Sequence, residues 1–214
     1  MPPCIIPAIG CSGVPILSGE KAAAPKIAGL VKVFDLFQGP RLFQFFWHFL
    51  ANVSRLTESE IQAASLVLGE GSIRYHSVRV AEGRLLGLIF RFNEGRAFTT
   101  FHTINLPRTG GHSREHIELL IHELVHVYQF ETVGSIYIYQ ALWAQQTEGY
   151  FYGRWPQLAI DRENGKHFKE YNREQQGQIA QDYQTQVIGE RLSGDEPARM
   201  AFESFIAELK DGQL

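Results

Sequence analysis

Leu120-Ile121-His122-Glu123-Leu124-Val125-His126-Val127-Tyr128-Gln129 is the stretch on which the reading of this 214-residue chain turns. Two histidines four residues apart on a helix project from one face about a turn apart, so their ring nitrogens can converge on a single ion. Glu123 follows the first histidine and sits about 100° round the helix from it, near enough to act on water at that ion without being a ligand. That placement suits a general base. Ile117, Leu120, Leu124 and Val127 form a stripe opposite His122, His126 and Gln129, which predicts a helix apolar behind and imidazole-bearing in front. Imidazole ligands with a carboxylate favour zinc, and three protein ligands leave a fourth position for water.

Working outward, a third ligand is needed. Glu174 lies 48 residues after His126 and opens the run Asn172-Arg173-Glu174-Gln175-Gln176-Gly177-Gln178-Ile179-Ala180-Gln181-Asp182-Tyr183. Asn172 can cap a helix running from Arg173 to Leu192, on which Glu174, Gln178 and Asp182 follow at steps of four as one polar strip. One carboxylate of the strip could ligate while another orients a histidine. The competing reading of Glu174 is a solvated helix start, where the helix dipole favours an acid anyway. Glu148, 22 residues past His126, is the main alternative ligand. His112, His116 and His167 are weaker ones. Tyr171 and Tyr183 are candidates for donating a hydrogen bond to an oxyanion, although core packing is the ordinary role of a tyrosine.

Upstream of the motif, Thr57-Glu58-Ser59-Glu60 is a capping box that starts a helix ending at Gly69. Residues 72 to 80, Leu85 to Phe92 and Ala97 to Leu106 read as strands, with Asn93-Glu94-Gly95 as a turn. They predict a small, mainly antiparallel sheet ahead of the motif helix, which is expected from Arg114 to Val133 after a Ser113 cap. A strand at the sheet edge, Ala97 to Leu106, could align an extended peptide by backbone hydrogen bonds. Further helices are expected over Ile136 to Gln146 and Pro197 to Leu209.

Residues 1 to 27, rich in Pro, Gly and Ala, read as an irregular arm, followed by apolar helices over Ile27 to Phe37 and Arg41 to Val53 joined at Gly39-Pro40. The second carries Phe43, Phe45, Phe46, Trp47 and Phe49. Core packing is the ordinary reading of these rings, and a membrane or partner surface is the other.

Composition excludes several classes. With 20 basic against 23 acidic residues and no Lys/Arg block, the chain has no electrostatic footprint for nucleic acid. Pro2, Pro3, Pro7 and Pro15 interrupt every candidate for a conventional signal sequence. Lys32, Asp35, Arg41 and Gly39-Pro40 break the greasiest region, so the chain reads as soluble. Cys4 and Cys11 could staple only a short loop or remain free thiols. No Gly-rich phosphate loop or Ser/His/Asp signature stands beside the motif.

The motif stretch resembles the motif helix of small bacterial zincin-like proteins of contractile secretion systems. These include the vgr-related metallopeptidases of type VI secretion loci and a related domain in extracellular contractile injection cargo. The resemblance extends to Leu56-Thr57-Glu58-Ser59-Glu60-Ile61, Tyr75-His76-Ser77-Val78-Arg79-Val80 and the Glu174 to Tyr183 helix, covering residues 56 to 190. It implies an α+β, zincin-like domain over 56 to 214, residues 1 to 55 being an appended segment. It implies a gluzincin-type site with one Zn2+ per chain and Glu174 as third ligand. A peptide or protein substrate, a secretion-apparatus or immunity partner, and export without a signal peptide also follow from it. The rival expectation is a non-catalytic, zinc-containing cargo or adaptor module. Gly177 stands where a helix-favouring residue is expected.

Overall fold

The computed structural model describes residues 20 to 83, 86 to 189, 191 and 194 to 214. The expectations for Cys4, Cys11 and the first nineteen residues lie outside the described residues, as does the exact end of the helix expected to reach Leu192. Helix α1 (Glu20–Leu36) turns at Gln38, whose φ of 59° makes the sharp reversal into α2 (Gly39–Leu50). Helix therefore begins earlier than the composition of residues 20 to 27 suggests. Pro40 occupies the first turn of α2, where its missing N–H costs nothing.

Strands β1 (Asn52–Arg55), β2 (Arg79–Glu82), β3 (Phe98–Thr100) and β4 (Thr103–Leu106) form one sheet in the order β1-β2-β4-β3. β1 pairs antiparallel with β2 and β3 with β4, while β2 and β4 run parallel. Three sequence expectations change here. Residues 52 and 53 are strand, not the end of a helix. Of residues 72 to 80, Tyr75–Ser77 form a 3-10 turn, with the Tyr75 hydroxyl donating to the Gly69 carbonyl at 3.0 Å, and only the end enters β2. Leu86–Phe92 is helix α4. Its Leu86, Ile89 and Phe90 recur at helical spacing and pack with Ala51 and Ala81 in a small second core.

The two faces of the sheet differ by the strand period of two. Val80, Ile104 and Leu106 point into the main core. Thr103 and Asn105 point the other way and are fully buried beneath α2. There the Trp47 indole donates to Asn105 Oδ1 at 2.8 Å, the Gln44 amide donates to Thr103 Oγ1 at 3.3 Å, and His48 Nε2 lies 3.0 Å from the same oxygen. These bonds satisfy polar groups that burial would otherwise penalise. Helix α2 is therefore tied to the sheet by its polar side. Phe45, Phe46 and Phe49 are 59%, 66% and 65% exposed, against the expectation that they pack inward.

Helix α3 (Glu58–Leu68) starts at the expected box: Glu60 N–H donates to Thr57 Oγ1, and Thr57 N–H to Glu60 Oε2. Glu60 also accepts two bonds of 2.7 Å from the Arg114 guanidinium. That tether holds Arg114 in the loop, and helix α5 begins three residues later than Ser113 predicts, at Ile117, and runs to Val133. Residues Leu119 to Gln129 of α5 are buried on every face, not on one. Helices α6 (Ile136–Gln146) and α8 (Arg173–Tyr183) pack on it. Helix α7 (Arg154–Glu163), unexpected because its composition is polar, accepts Pro156 in its first turn and packs on α9 (Glu196–Lys210). Asn172 caps α8 as expected, and a π-helical turn over Gln184–Ile188 continues it. The architecture is mixed α and β, mainly helical, with a four-stranded mixed sheet.

Candidate metal centre

His122, Glu123 and His126 project from the middle of α5, and Glu174 from the first turn of α8. The reciprocal Asn172 and Gln175 cap fixes where α8 starts: Gln175 N–H donates to Asn172 Oδ1 at 2.8 Å, and Asn172 N–H to Gln175 Oε1 at 3.2 Å. The carboxylate is thereby held over the two rings. Glu174 Oε2 lies 3.4 Å from His122 Nε2 and 3.5 Å from His126 Nε2. One ligand atom from each of the three residues lies within 4.8 Å of the others, and their side chains are only 1 to 7% exposed.

Gly177 explains how two helices come this close. A Cβ built there would stand 2.8 Å from His122 Cε1 and Nε2 and 3.0 Å from Cδ2. The backbone of α8 is the floor on which the imidazole rests, so the residue that looks misplaced for helix propensity is required by the site.

The surrounding hydrogen bonds prepare the donor atoms. Gln129 Nε2 donates to the Arg173 carbonyl at 3.0 Å and to Gln176 Oε1 at 2.9 Å, so its Oε1 is the atom facing His126 Nδ1 at 2.8 Å. His126 must donate from Nδ1, which leaves Nε2 for an ion. Gln145 donates to Glu174 Oε1 at 2.9 Å, leaving Oε2 on the side of the histidines. His122 Nδ1 is buried with no hydrogen-bond partner among the described residues. Two imidazole nitrogens and one carboxylate oxygen, buried and pre-oriented, fit a divalent cation of the zinc type.

Electrostatics point the same way. Burial alone would lower the His126 pKa, but the Glu174 carboxylate outweighs it, with Glu123 adding to the effect, and the group is held up at about 9. Burial would raise Glu174, yet His126 and His122 hold it well below the ordinary carboxylate range. Because His126 is protonated in the metal-free chain below about pH 9, an ion must displace that proton. Zinc affinity is therefore expected to rise about tenfold per pH unit between roughly pH 6 and 8, with about one proton released. Titration calorimetry in two buffers of different ionisation enthalpy checks this. A pH-independent affinity would contradict it.

The cluster lies in the wall of a cavity of about 590 Å³ that is also lined by Glu123, Tyr137, Tyr150 and residues 96 to 100. Thr99 on β3 donates its hydroxyl to Glu123 Oε2 at 2.7 Å, so the sheet orients the carboxylate. The Tyr150 ring centroid is 5.8 Å from that of His122, and the side chain lines the same cavity as Glu174 and Glu123. Burial and the nearby Glu174 and Glu123 raise the Tyr150 pKa, which keeps the hydroxyl a donor. Ile138, Ala141, Leu142 and Leu119 supply apolar wall.

Several expected participants lie elsewhere. Glu148 is exposed and accepts from the Asn172 amide. His116 faces Glu118, and His167 pairs with Glu208. His112 is exposed and lines the cavity, outside the ligand cluster. The polar strip of α8 divides: Gln178 lines the cavity, whereas Asp182 accepts from the Tyr152 hydroxyl and from Gln178. Tyr171 donates to Asp161 and packs on Phe205, and Tyr183 packs on Phe202, so neither tyrosine enters the site. Tyr150, Gln145 and Thr99 stand beside the cluster instead. Nothing in their local sequence marks them, because each reaches the site through tertiary packing. The expected edge strand is also shorter. Ala97 to Leu106 is a hairpin in which β3 alone lies at the margin, and the Tyr137 hydroxyl bonds the Thr99 carbonyl and the Phe101 N–H there. Ala97 is the next residue facing outward.

Comparison with known proteins adds one relative. The type VI secretion system spike protein VgrG2b of Pseudomonas aeruginosa is 32% identical over 140 residues, which cover 60% of this chain and 12% of that protein. The chain thus spans a small part of that relative's length. No family model and no solved structure matches. No helix among the described residues is long and apolar enough to cross a membrane.

Proposed function

We propose that the chain is a zinc-dependent metallopeptidase, with His122, His126 and Glu174 holding one Zn2+ and Glu123 as general base. The observation that carries this reading is a buried His, His, Glu cluster in the wall of a cavity that also contains an oriented second carboxylate. A purely structural site has no need of that carboxylate or of the space beside it. When bound, the ion supplies Lewis acidity, which acidifies water and polarises a carbonyl.

The chain's own groups divide the remaining work. Glu123, held by Thr99, removes a proton from the attacking water and delivers it to the departing amine nitrogen. Tyr150, a neutral donor over the cluster, stabilises charge accumulating on the carbonyl oxygen. An extended peptide would lie along the outer margin of β3 near Ala97, with an apolar side chain against Ile138, Ala141 and Leu142. A zincin-like fold and a role as a type VI secretion effector are part of the same proposal, supported by the helix arrangement and by similarity to a spike protein. On this reading its partners are a peptide or protein substrate and components of the secretion apparatus or an immunity protein.

The test uses the full chain. Metal analysis after purification is expected to give about one zinc per chain, with cleavage of casein that a chelator abolishes and zinc restores. Chain without stoichiometric metal would end the proposal. Bound zinc with no cleavage of casein or of a random peptide library would turn it to the non-catalytic cargo reading.

A further inference from the structure

Helix α2 has its amphipathicity reversed relative to the domain beneath it. Gln44, Trp47 and His48 turn toward the sheet and bond Thr103 and Asn105. Leu42, Phe45 and Phe46 turn outward, at 59%, 59% and 66% exposure. Leu42, Phe45, Phe46 and Phe49 recur at i, i+3, i+4 and i+7, the spacing of one helix face. On α1, Leu30 and Val33 are 73% and 52% exposed, Leu36 at its end is 75% exposed and Phe37 just beyond it 73%, while the Phe34 ring turns back onto Phe101. Two adjoining helices thus present a run of apolar side chains to solvent, while Gln44, Trp47 and His48 and the rings of Phe34 and Phe43 hold the domain, a large exposed apolar surface that water alone does not favour.

We infer that the α1 and α2 hairpin is an interfacial anchor for an anionic lipid surface. Charge favours this occupant. Helix α2 contains no acidic residue. Lys32 and Arg41 are exposed. The acids that share a cavity wall with Arg41 are both occupied: Asp35 accepts from the Ser135 amide at 3.0 Å and from the Ser135 hydroxyl, and Glu131 pairs with Arg74 and His102. Phenylalanine and leucine flanked by cations is the composition of helices that lie in the headgroup region without spanning it. Chemistry also favours lipid over a protein partner. The apolar face of α2, Leu42, Phe45, Phe46 and Phe49, offers no hydrogen-bonding group, whereas a protein interface carries about one hydrogen bond per 100 to 200 Å². The anchor lies across the sheet from the main core and does not depend on the peptidase reading.

Flotation of the full chain with vesicles of phosphatidylglycerol and phosphatidylethanolamine, compared with phosphatidylcholine alone, tests the inference. The chain is expected to float with the anionic vesicles, less so in about 0.5 M salt, and poorly with the neutral ones. Phe45→Glu/Phe46→Glu is expected to lower binding more than tenfold, since it replaces two apolar contacts with charge. Zinc content and circular dichroism of the variant report that the fold is intact, because both side chains are exposed. Equal binding by wild type and variant overturns the inference, as does failure of the wild type to float. A wild-type dimer that the double substitution dissociates, without vesicle binding by either, overturns it in favour of a second copy of the chain.

Discussion

Glu123→Gln is expected to lower peptide hydrolysis by a factor of about 10² to 10⁴ while leaving zinc bound. The substitution is nearly isosteric, and the amide oxygen can still accept the bond that Thr99 now gives to Glu123 Oε2. Position is therefore kept, and what is lost is the ability to take a proton. Metal retention follows from the geometry, because Glu123 is not among the three converging groups. Removing its charge also relieves part of the field that holds His126 in its protonated form, which favours metal uptake at neutral pH. Zinc stoichiometry and initial rates on one casein substrate, measured side by side, check the expectation. Full zinc with unchanged rates would remove Glu123 from the chemistry. Lost zinc would make it a structural residue.

How much of this was legible depended on how local each feature is. The pair His122 and His126 with Glu123 between them is set by helix geometry within little more than one turn, and residue spacing alone reveals it. The helix that Glu174 opens was legible because caps are encoded within four residues, as at Thr57 and Asn172; spacing left Glu174 itself open between ligand and solvated helix start, and only the family resemblance favoured it. The sheet was legible only coarsely. Leu86 to Phe92 is a short continuous apolar run, and such runs satisfy strand and helix patterns alike until a partner decides. Here the second core beneath α4, built with Ala51 and Ala81, decided for helix. Strand β1 hides at the end of an apolar helix because its stimulus is the register with β2, from Asn52 opposite Glu82 to Arg55 opposite Arg79.

The residues around the site were the least legible. Tyr171 and Tyr183 sit close to Glu174 in sequence, yet Tyr171, just ahead of α8, and Tyr183, at its end, pack into the core against Phe205 and Phe202. Tyr150 and Gln145 lie at or beyond the end of α6 and reach the cluster only because α6 packs on both α5 and α8. The same limit applies to the aromatic helix. Its apolar face suggested burial, but Thr103 and Asn105 on the sheet require polar partners, and Gln44, Trp47 and His48 meet that need. The polar side of α2 is thus the inward one.

Gly177→Ala separates helix stability from the integrity of the site, because its two effects have opposite signs. Gly177 lies within α8 and is not among the residues with positive φ, so its backbone conformation is open to alanine. On propensity alone the change should stabilise the helix by about 1 kcal/mol. The new methyl group, however, would stand 2.8 Å from two ring atoms of His122, and that ring is a buried, rigid body in the middle of α5. It must shift by several tenths of an ångström, and the movement carries Nε2 away from the point it shares with Glu174 and His126. Metal sites tolerate displacements of about 0.2 Å, so the strain falls on affinity. Zinc affinity is expected to fall on the order of 100-fold, while circular dichroism and the melting temperature of the metal-free chain stay close to wild type. Competition with a chromophoric chelator measures the first and thermal denaturation after chelation the second. Unchanged affinity would mean that the His122 imidazole does not rest on the α8 backbone as described. A large drop in metal-free stability would assign Gly177 to folding alone.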